Sequence, residues 1–269
     1  MRKRKIGYSI EYKDMVLGKK IAAGGFGSIY KGRVYGQDVA VKTIKKKSES
    51  EIEDFKKETQ IMADLRHPNI VEFLGASAKP HMTIVTEFLA GGNLTKWMEK
   101  RHKRGDPLSE KLILDISMDI ARGVNWLHHK GIIHRDLKPD NILLDEYKVK
   151  ISDFGLAHIQ SEKLSSVGFY GAVGTPCYMA PEVISGAEYG VKADVFSFGI
   201  IMCELVTGLS RGFLMLQAIT YDLESPDLCF RKGLRPTIPD HCEPGIADLI
   251  QSCWHEDPEL RPSMDDVPR

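Results

Sequence analysis

Apolar positions along the chain change their spacing about a third of the way in. Between about residues 15 and 86 they come in short or alternating runs broken by glycines. The runs at 16–22, 28–34, 37–44 and 70–74 read as β-strands. One helix is predicted among them, over about 50–65, where Ile52, Phe55, Thr59 and Met62 recur at helical spacing and form a core-facing stripe. Glu58 falls on that same inward face. A carboxylate turned toward a core needs a cationic partner, and Lys42 on the preceding strand is the obvious one.

After Gly91-Gly92-Asn93 the pattern turns helical. A short helix is predicted over 94–102 and a long one over 109–130, with Ile113, Ile116, Ile120, Val124 and Leu127 on one face and Gly131 as its stop signal. Residues 194–207 are apolar almost all round, which predicts a helix buried within the larger part of the chain. Another helix is predicted over 246–254. Residues 142–151 read as a small hairpin with Asp145-Glu146 at its turn. The expected fold class is therefore α+β, with a strand-rich first part and a larger, mainly helical second part.

Composition adds mostly exclusions. The chain has 269 residues, 42% of them hydrophobic, enough for one large domain or two lobes. Lysine plus arginine and aspartate plus glutamate are both 37, so bulk charge gives no support for nucleic-acid binding. The basic run Arg2-Lys3-Arg4-Lys5 lies in an N-terminal extension, residues 1–14, and reads as a solvated terminus. No apolar run approaches the roughly 20 residues of a membrane span, and no signal-peptide pattern opens the chain. Five scattered cysteines without C-x-x-C pairing argue against a disulfide framework or structural zinc. The expectation is a reducing, cytoplasmic setting, with the nucleus as an alternative address. His128-His129, at a predicted helix end, reads as a favourable charge–dipole contact.

Chemistry concentrates in a few motifs. His134-Arg135-Asp136-Leu137-Lys138-Pro139-Asp140-Asn141 places a carboxylate, an ammonium and an amide close together in one loop. Asp136 can accept the proton of an incoming hydroxyl, Lys138 adds a cation beside a phosphoryl group, and Asn141 can ligate magnesium. Asp153-Phe154-Gly155 follows, and Asp153 is the second candidate metal ligand, a hard oxygen donor of the kind magnesium prefers. Upstream, Ala22-Ala23-Gly24-Gly25-Phe26-Gly27-Ser28-Ile29 lies between two predicted strands, where glycines let backbone approach phosphates closely. Val39-Ala40-Val41-Lys42 and Ala180-Pro181-Glu182 complete an ordered set.

With these motifs the chain resembles the eukaryotic protein kinase catalytic domain over about residues 16–267, and within it the tyrosine-kinase-like group of serine/threonine kinases. The segments 174–182 and 194–199, Cys253-Trp254, Asp257-Pro258 and Arg261-Pro262 carry that closer likeness. The resemblance implies a bilobal fold with ATP in the cleft: a small lobe at about 15–86, a hinge at about 87–91 and a large lobe at about 92–267. It implies that Lys42 holds the α/β-phosphates and pairs with Glu58. Ala22, Ala23, Gly24, Gly25, Phe26 and Gly27 would line the phosphates, and Phe26 could fold over them. Thr86 would be the gatekeeper at the back of the adenine pocket. The Glu87 carbonyl and Leu89 amide would bond the adenine edge, with Ile29, Ala40 and Leu143 sandwiching the ring. Met62, Phe73, His134 and Phe154 would form the regulatory spine near Asp194, and Glu182 would pair with Arg261. One departure is visible: Ala22 stands where the pattern expects its first glycine, which implies a modest loss of loop freedom.

Lys138 and Thr175 match the serine/threonine pattern, in which the threonine contacts the catalytic aspartate and lysine. The implied activity is transfer of the ATP γ-phosphate to protein serine or threonine, with Mg2+ and with Mn2+ as a substitute. Tyrosine or dual specificity is the alternative; a pseudokinase scaffold is disfavoured by the presence of Lys42, Asp136, Asn141 and Asp153. Arg135 suggests regulation by a phosphorylated loop, through an activating kinase or autophosphorylation at Ser165 or Ser166.

Overall fold

The computed structural model describes residues 9–24, 27–44, 49–145, 148–159, 175–208 and 235–267. Gly25, Phe26, Glu146, Gly174, the run at 2–5, Ser161, Ser165, Ser166, Tyr170 and the stretch 210–232 lie outside these residues. The chain separates into two compact units, divided between Ala90 and Gly91.

The first unit is built on a five-stranded sheet, all of whose neighbouring strands are antiparallel. Its strands are β1 (Met15–Gly24), β2 (Gly27–Val34), β3 (Gln37–Ile44), β4 (Phe73–Ser77) and β5 (Met82–Glu87), in the order β1-β2-β3-β5-β4. Helix α1 (Glu49–Asp64) connects β3 to β4 and packs on β4. On β3, Val39 and Val41 point into an apolar cluster with Ile10, Met15, Val34 and Val85, while Ala40 and Lys42 take the opposite face. Two expectations shift here. The strand predicted at 70–74 begins at Phe73: Ile70 and Val71 are buried, but Ile70 makes only an isolated bridge and Val71 none. Strand β5, absent from the sequence reading, lies between β3 and β4; its Met82-Thr83-Ile84-Val85-Thr86 run is rich in β-branched residues but does not alternate, because the strand is buried on both faces.

In the second unit, α2 (Leu94–Lys103) starts at Asn93, whose side chain accepts the Lys96 amide. Helix α3 (Glu110–His129) is capped by the Ser109 hydroxyl on the Leu112 amide. Its predicted stripe, Ile113, Ile116, Ile120, Val124 and Leu127, is buried without exception. Helix α4 (Pro181–Ser185) is short. Helix α5 (Lys192–Thr207) is buried on every face from Ala193 to Leu205 and packs against both α3 and α6 (Pro244–Cys253). A Cβ on Gly199 of α5 would sit 2.8 Å from that of Cys253, so glycine sets how closely α5 and α6 approach.

Small strands carry the site-bearing loops of this unit. β6 (Gly92–Asn93), β8 (Ile142–Leu144) and β9 (Val149–Ile151) form one sheet, and β7 (Ile132–Ile133) pairs with β10 (His158–Ile159). The Asp145 amide donates to the Lys148 carbonyl at 2.8 Å, closing the predicted β8–β9 hairpin. Gly91 passes close under Leu144: a Cβ there would lie 2.5 Å from the Leu144 carbonyl oxygen.

Candidate active site

In the first unit, pairing register gathers the predicted nucleotide-side residues. Ala22 lies opposite Ile29, Ile29 opposite Lys42, and Ala40 opposite Thr86. Directly opposed residues in an antiparallel ladder share a face, so Ala22, Ile29, Ala40, Lys42 and Thr86 lie on one face of the sheet. Lys42 Nζ donates to Glu58 Oε1 at 2.8 Å, and both side chains are largely buried. Of the predicted stripe, Phe55 and Met62 are buried on either side of Glu58, while Ile52 and Thr59 are half-buried. Phe73, opposite Thr86, is buried as well.

Ala22 and Ala23 sit in β1 opposite Ile29 and Ser28, and Gly24 pairs with Gly27. Ala22 thus pairs within the strand, directly after a shift of register between Lys20 and Ala22. Gly27 is different. Its φ is +147°, and a Cβ would fall 1.9 Å from the Thr43 carbonyl oxygen, so no other residue fits. At the C-terminal end of β5 the Glu87 amide bonds the Glu72 carbonyl, and the Glu87 carboxylate accepts the Glu72 amide at 2.7 Å; Leu89 is buried.

In the second unit, the loop between β7 and β8 holds its polar groups in a connected set. Lys138 Nζ donates to Asp136 Oδ2 at 2.6 Å and to Thr175 Oγ1 at 3.1 Å. Asn141 Nδ2 donates to the same Asp136 Oδ2 at 3.0 Å and to the Asp136 carbonyl at 2.8 Å. Both side-chain bonds to Asp136 fall on one oxygen, and Oδ1 receives no hydrogen bond from the described residues. The Asn141 carbonyl accepts from the Ser152 amide at 2.8 Å and the Ser152 hydroxyl at 2.9 Å, which ties Asn141 to the segment bearing Asp153. Leu143 lies on β8, half-buried.

The backbone beneath this loop is fixed by a buried carboxylate. Asp194, at the start of α5, accepts the His134 amide on Oδ2 and the Arg135 amide on Oδ1, each at 2.9 Å. Burial pushes the Asp194 carboxyl up, but the His128 hydrogen bond and charge, with His134 beside it, bring it below the usual carboxylate range. His134 is wholly buried and meets Phe154 edge-on at 5.4 Å. Its Nδ1 accepts the Asp136 amide at 3.3 Å, which leaves the ring proton on Nε2 for the Ser152 carbonyl at 3.0 Å. Arg135 and Asp153 both adopt left-handed backbone, φ +66° and +63°, which non-glycine residues rarely hold unless neighbours enforce it.

Residues 15–269 match the protein tyrosine and serine/threonine kinase family. The chain belongs to that family. It is 37% identical over 265 residues to the serine/threonine-protein kinase STY17 of Arabidopsis thaliana, a match covering 97% of this chain and 44% of the relative. The serine/threonine/tyrosine-protein kinase HT1 of the same plant is 36% identical, covering 97% and 66%. The serine/threonine-protein kinase CTR1, also from that plant, is 38% identical, covering 95% and 31%. This kinase domain therefore spans less than half the length of STY17.

Kinases of this family use ATP with a divalent cation. The donor set fits such a cation. Asn141 spends its amide nitrogen on Asp136, which turns its oxygen elsewhere, and Asp153 adds a carboxylate one residue beyond Ser152. Among the described residues no group of three histidine, cysteine, aspartate or glutamate side chains forms a metal cage. One amide oxygen and one carboxylate are hard donors, which suit a hard divalent cation on phosphates rather than zinc.

The kinase domain also carries the expected Glu182–Arg261 pair. The guanidinium reaches both carboxylate oxygens at 2.6 and 2.8 Å and donates further to the His255, Lys192 and Glu256 carbonyls. Sequence reasoning missed two contacts in the loop between β7 and β8. Arg135 Nη1 donates to the Tyr189 hydroxyl at 3.1 Å, and Asn93 Nδ2 donates to Asp140 Oδ1 at 3.2 Å. His128 and His129 lie in the last turn of α3, as the sequence predicts, and each also has a specific partner: His128 bonds Asp194 at 2.9 Å, and His129 bonds Asp265 at 3.1 Å. Both partners lie far along the chain, where no local pattern announces them. Among the described residues no helix is long and apolar enough to cross a membrane.

Proposed function

We propose that this kinase domain transfers the γ-phosphate of ATP to serine or threonine hydroxyls of proteins. The arrangement around Asp136 carries the reading. One carboxylate oxygen is held by Lys138 and Asn141 while the other is left toward an incoming hydroxyl. Asp136 orients that hydroxyl and takes its proton as the oxygen–phosphorus bond forms and the bond to the leaving phosphate breaks. Lys138 neutralises charge on the phosphoryl oxygens, and the Thr175 hydroxyl keeps its ammonium in place. Lys42, held by Glu58, faces the α/β-phosphates. Asn141 and Asp153 hold Mg2+, or Mn2+ in its stead, which supplies charge neutralisation on the phosphates when bound.

Thr86 acts as gatekeeper, the Glu87 carbonyl and Leu89 amide bond the adenine edge, and Ile29, Ala40 and Leu143 enclose the ring. Residues 87–91 act as the hinge. The domain works inside the cell, and phosphorylation at Ser165 or Ser166 regulates it through Arg135.

The test is incubation of the protein and its Asp136→Asn variant with labelled ATP, magnesium and a generic protein substrate, followed by identification of the labelled amino acid. Label on serine or threonine, falling by roughly 10²–10⁴-fold in the variant, is the expected result. Label on tyrosine, or a variant as active as the parent, overturns the reading.

A further inference from the structure

We propose that Asn93 is a positioning residue for Asn141, acting through Asp140, and so sets how tightly the domain holds a divalent cation with ATP; the inference rests on Asn141 being a metal ligand. Asn93 lies where β6 ends and α2 begins. Its two amide atoms have different partners. Oδ1 accepts the Lys96 amide at 3.1 Å and caps α2, while Nδ2 donates to Asp140 Oδ1 at 3.2 Å, 47 residues along the chain. Asp140 belongs to the single-turn helix Pro139–Asn141, and α2 packs on that turn. The Asn93 backbone also stands opposite Leu143 in the ladder between β6 and β8. Asn93 thus holds the chain on both sides of Asn141, before it through a side chain and after it through strand pairing.

The physical need comes from Asn141 itself. It has one side-chain amide, and the nitrogen is committed to Asp136. The oxygen can serve a cation only if the backbone of the turn keeps one orientation. Ser152 holds that backbone from one side, with its amide and its hydroxyl both on the Asn141 carbonyl. Asp140 lies on the other side, and a half-buried carboxylate keeps its place only where donors fix it. A hydrogen bond to a charged acceptor is stronger than one between neutral groups. Asn93 supplies such a bond from an anchored position, because its other amide atom is tied to α2. Groups that orient a ligand without touching the metal typically govern affinity by roughly 10- to 100-fold.

The experiment measures Mn2+ binding by electron paramagnetic resonance, with a non-hydrolysable ATP analogue present, and amide hydrogen exchange at Asp140 and Asn141 in the metal-free protein. The full chain is compared with Asn93→Ser, Asn93→Asp, Asn93→Asp/Asp140→Asn and Asn141→Ala. Serine and aspartate both keep the α2 cap. Serine is too short to reach Asp140, and aspartate has no donor to offer it. Asn93→Ser is expected to weaken Mn2+ binding by roughly 10-fold and to speed exchange at both amides. Asn93→Asp weakens binding as well, although its added negative charge acting alone would tighten it. The double variant reverses donor and acceptor at the parent's net charge and recovers most of the affinity. Binding in Asn93→Ser equal to the parent overturns the proposal, as does tighter binding in Asn93→Asp or a double variant no better than Asn93→Asp. If Asn93→Ser does not fold, the comparison of Asn93→Asp with the double variant decides by the same criterion. Loss of binding in Asn141→Ala without loss in Asn93→Ser defeats this inference alone. An Asn141→Ala variant that binds Mn2+ like the parent removes the metal-ligand reading, and the proposal falls with it.

Discussion

Asp194 shows how much a single side chain organises. Its carboxyl lies below the usual range because the His128 bond and charge, together with His134, outweigh the burial that would raise it. A carboxyl lowered on folding stabilises the native state above its unfolded pKa, and that stability is lost as pH falls through the folded value. The Asp194→Asn variant is therefore expected to lose about 3–5 kcal/mol at neutral pH, since an asparagine cannot accept both backbone amides and His128 is left unpaired. Below the ordinary carboxylate range the gap between parent and variant narrows. Urea unfolding across pH reads both effects, and a gap that widened on acidification would sink the account. The aspartate itself was legible in the sequence as a neighbour of the spine, on the strength of a family resemblance. Its imidazole partner was not, since His128 and Asp194 lie 66 residues apart.

At the scale of elements, the C-terminal segment is fastened to α4 and α5 through Arg261. Its side chain is fully buried, its guanidinium lies 5.1 Å from the Phe196 ring centre, and its donors are taken by Glu182 and three carbonyls. Replacing Arg261 by methionine strands the Glu182 carboxylate and three carbonyls together. A loss of about 3–5 kcal/mol in urea unfolding is expected, and Arg261→Met/Glu182→Leu should recover part of it because no lone buried charge remains. A double variant less stable than the single one would contradict this. The helices that could be read from sequence were those with strong period or caps: α3 announced itself by five apolar residues on one face, Ser109 at its start and Gly131 beyond its end. β5 did not, because a strand covered on both faces loses the alternation that marks a half-buried one.

For the whole chain, equal numbers of acidic and basic residues leave no net field, with a pI near 7.1, so weak solubility near neutral pH follows from composition alone. The thiols report on packing. Burial pushes Cys203 and Cys253 up to about 12, whereas Cys242 is only half-buried. With iodoacetamide at neutral pH, Cys203 and Cys253 should stay unmodified in the native protein and react only as denaturant opens the helical unit, while Cys242 reacts first. Site-resolved mass spectrometry gives the order. Labelling of Cys253 in the native state at the rate of Cys242 would show that the contact between α5 and α6 is looser than the structure has it.

The sequence by itself determined the α+β class and the positions of the long helices, and it marked the motifs on which the proposed chemistry rests. Those features depend on local period, caps and short motifs, whose information lies within a few residues. It also anticipated the Lys42–Glu58 pair, because an inward carboxylate one helix away from a strand lysine has few other partners. Only the tertiary structure decided which oxygen of Asp136 is held, that Asp194 grips the backbone of His134 and Arg135, and that His128, at its helix end, bonds that same carboxylate. Those outcomes depend on distances between residues far apart in the chain, where burial removes water and leaves each polar group to find its partner.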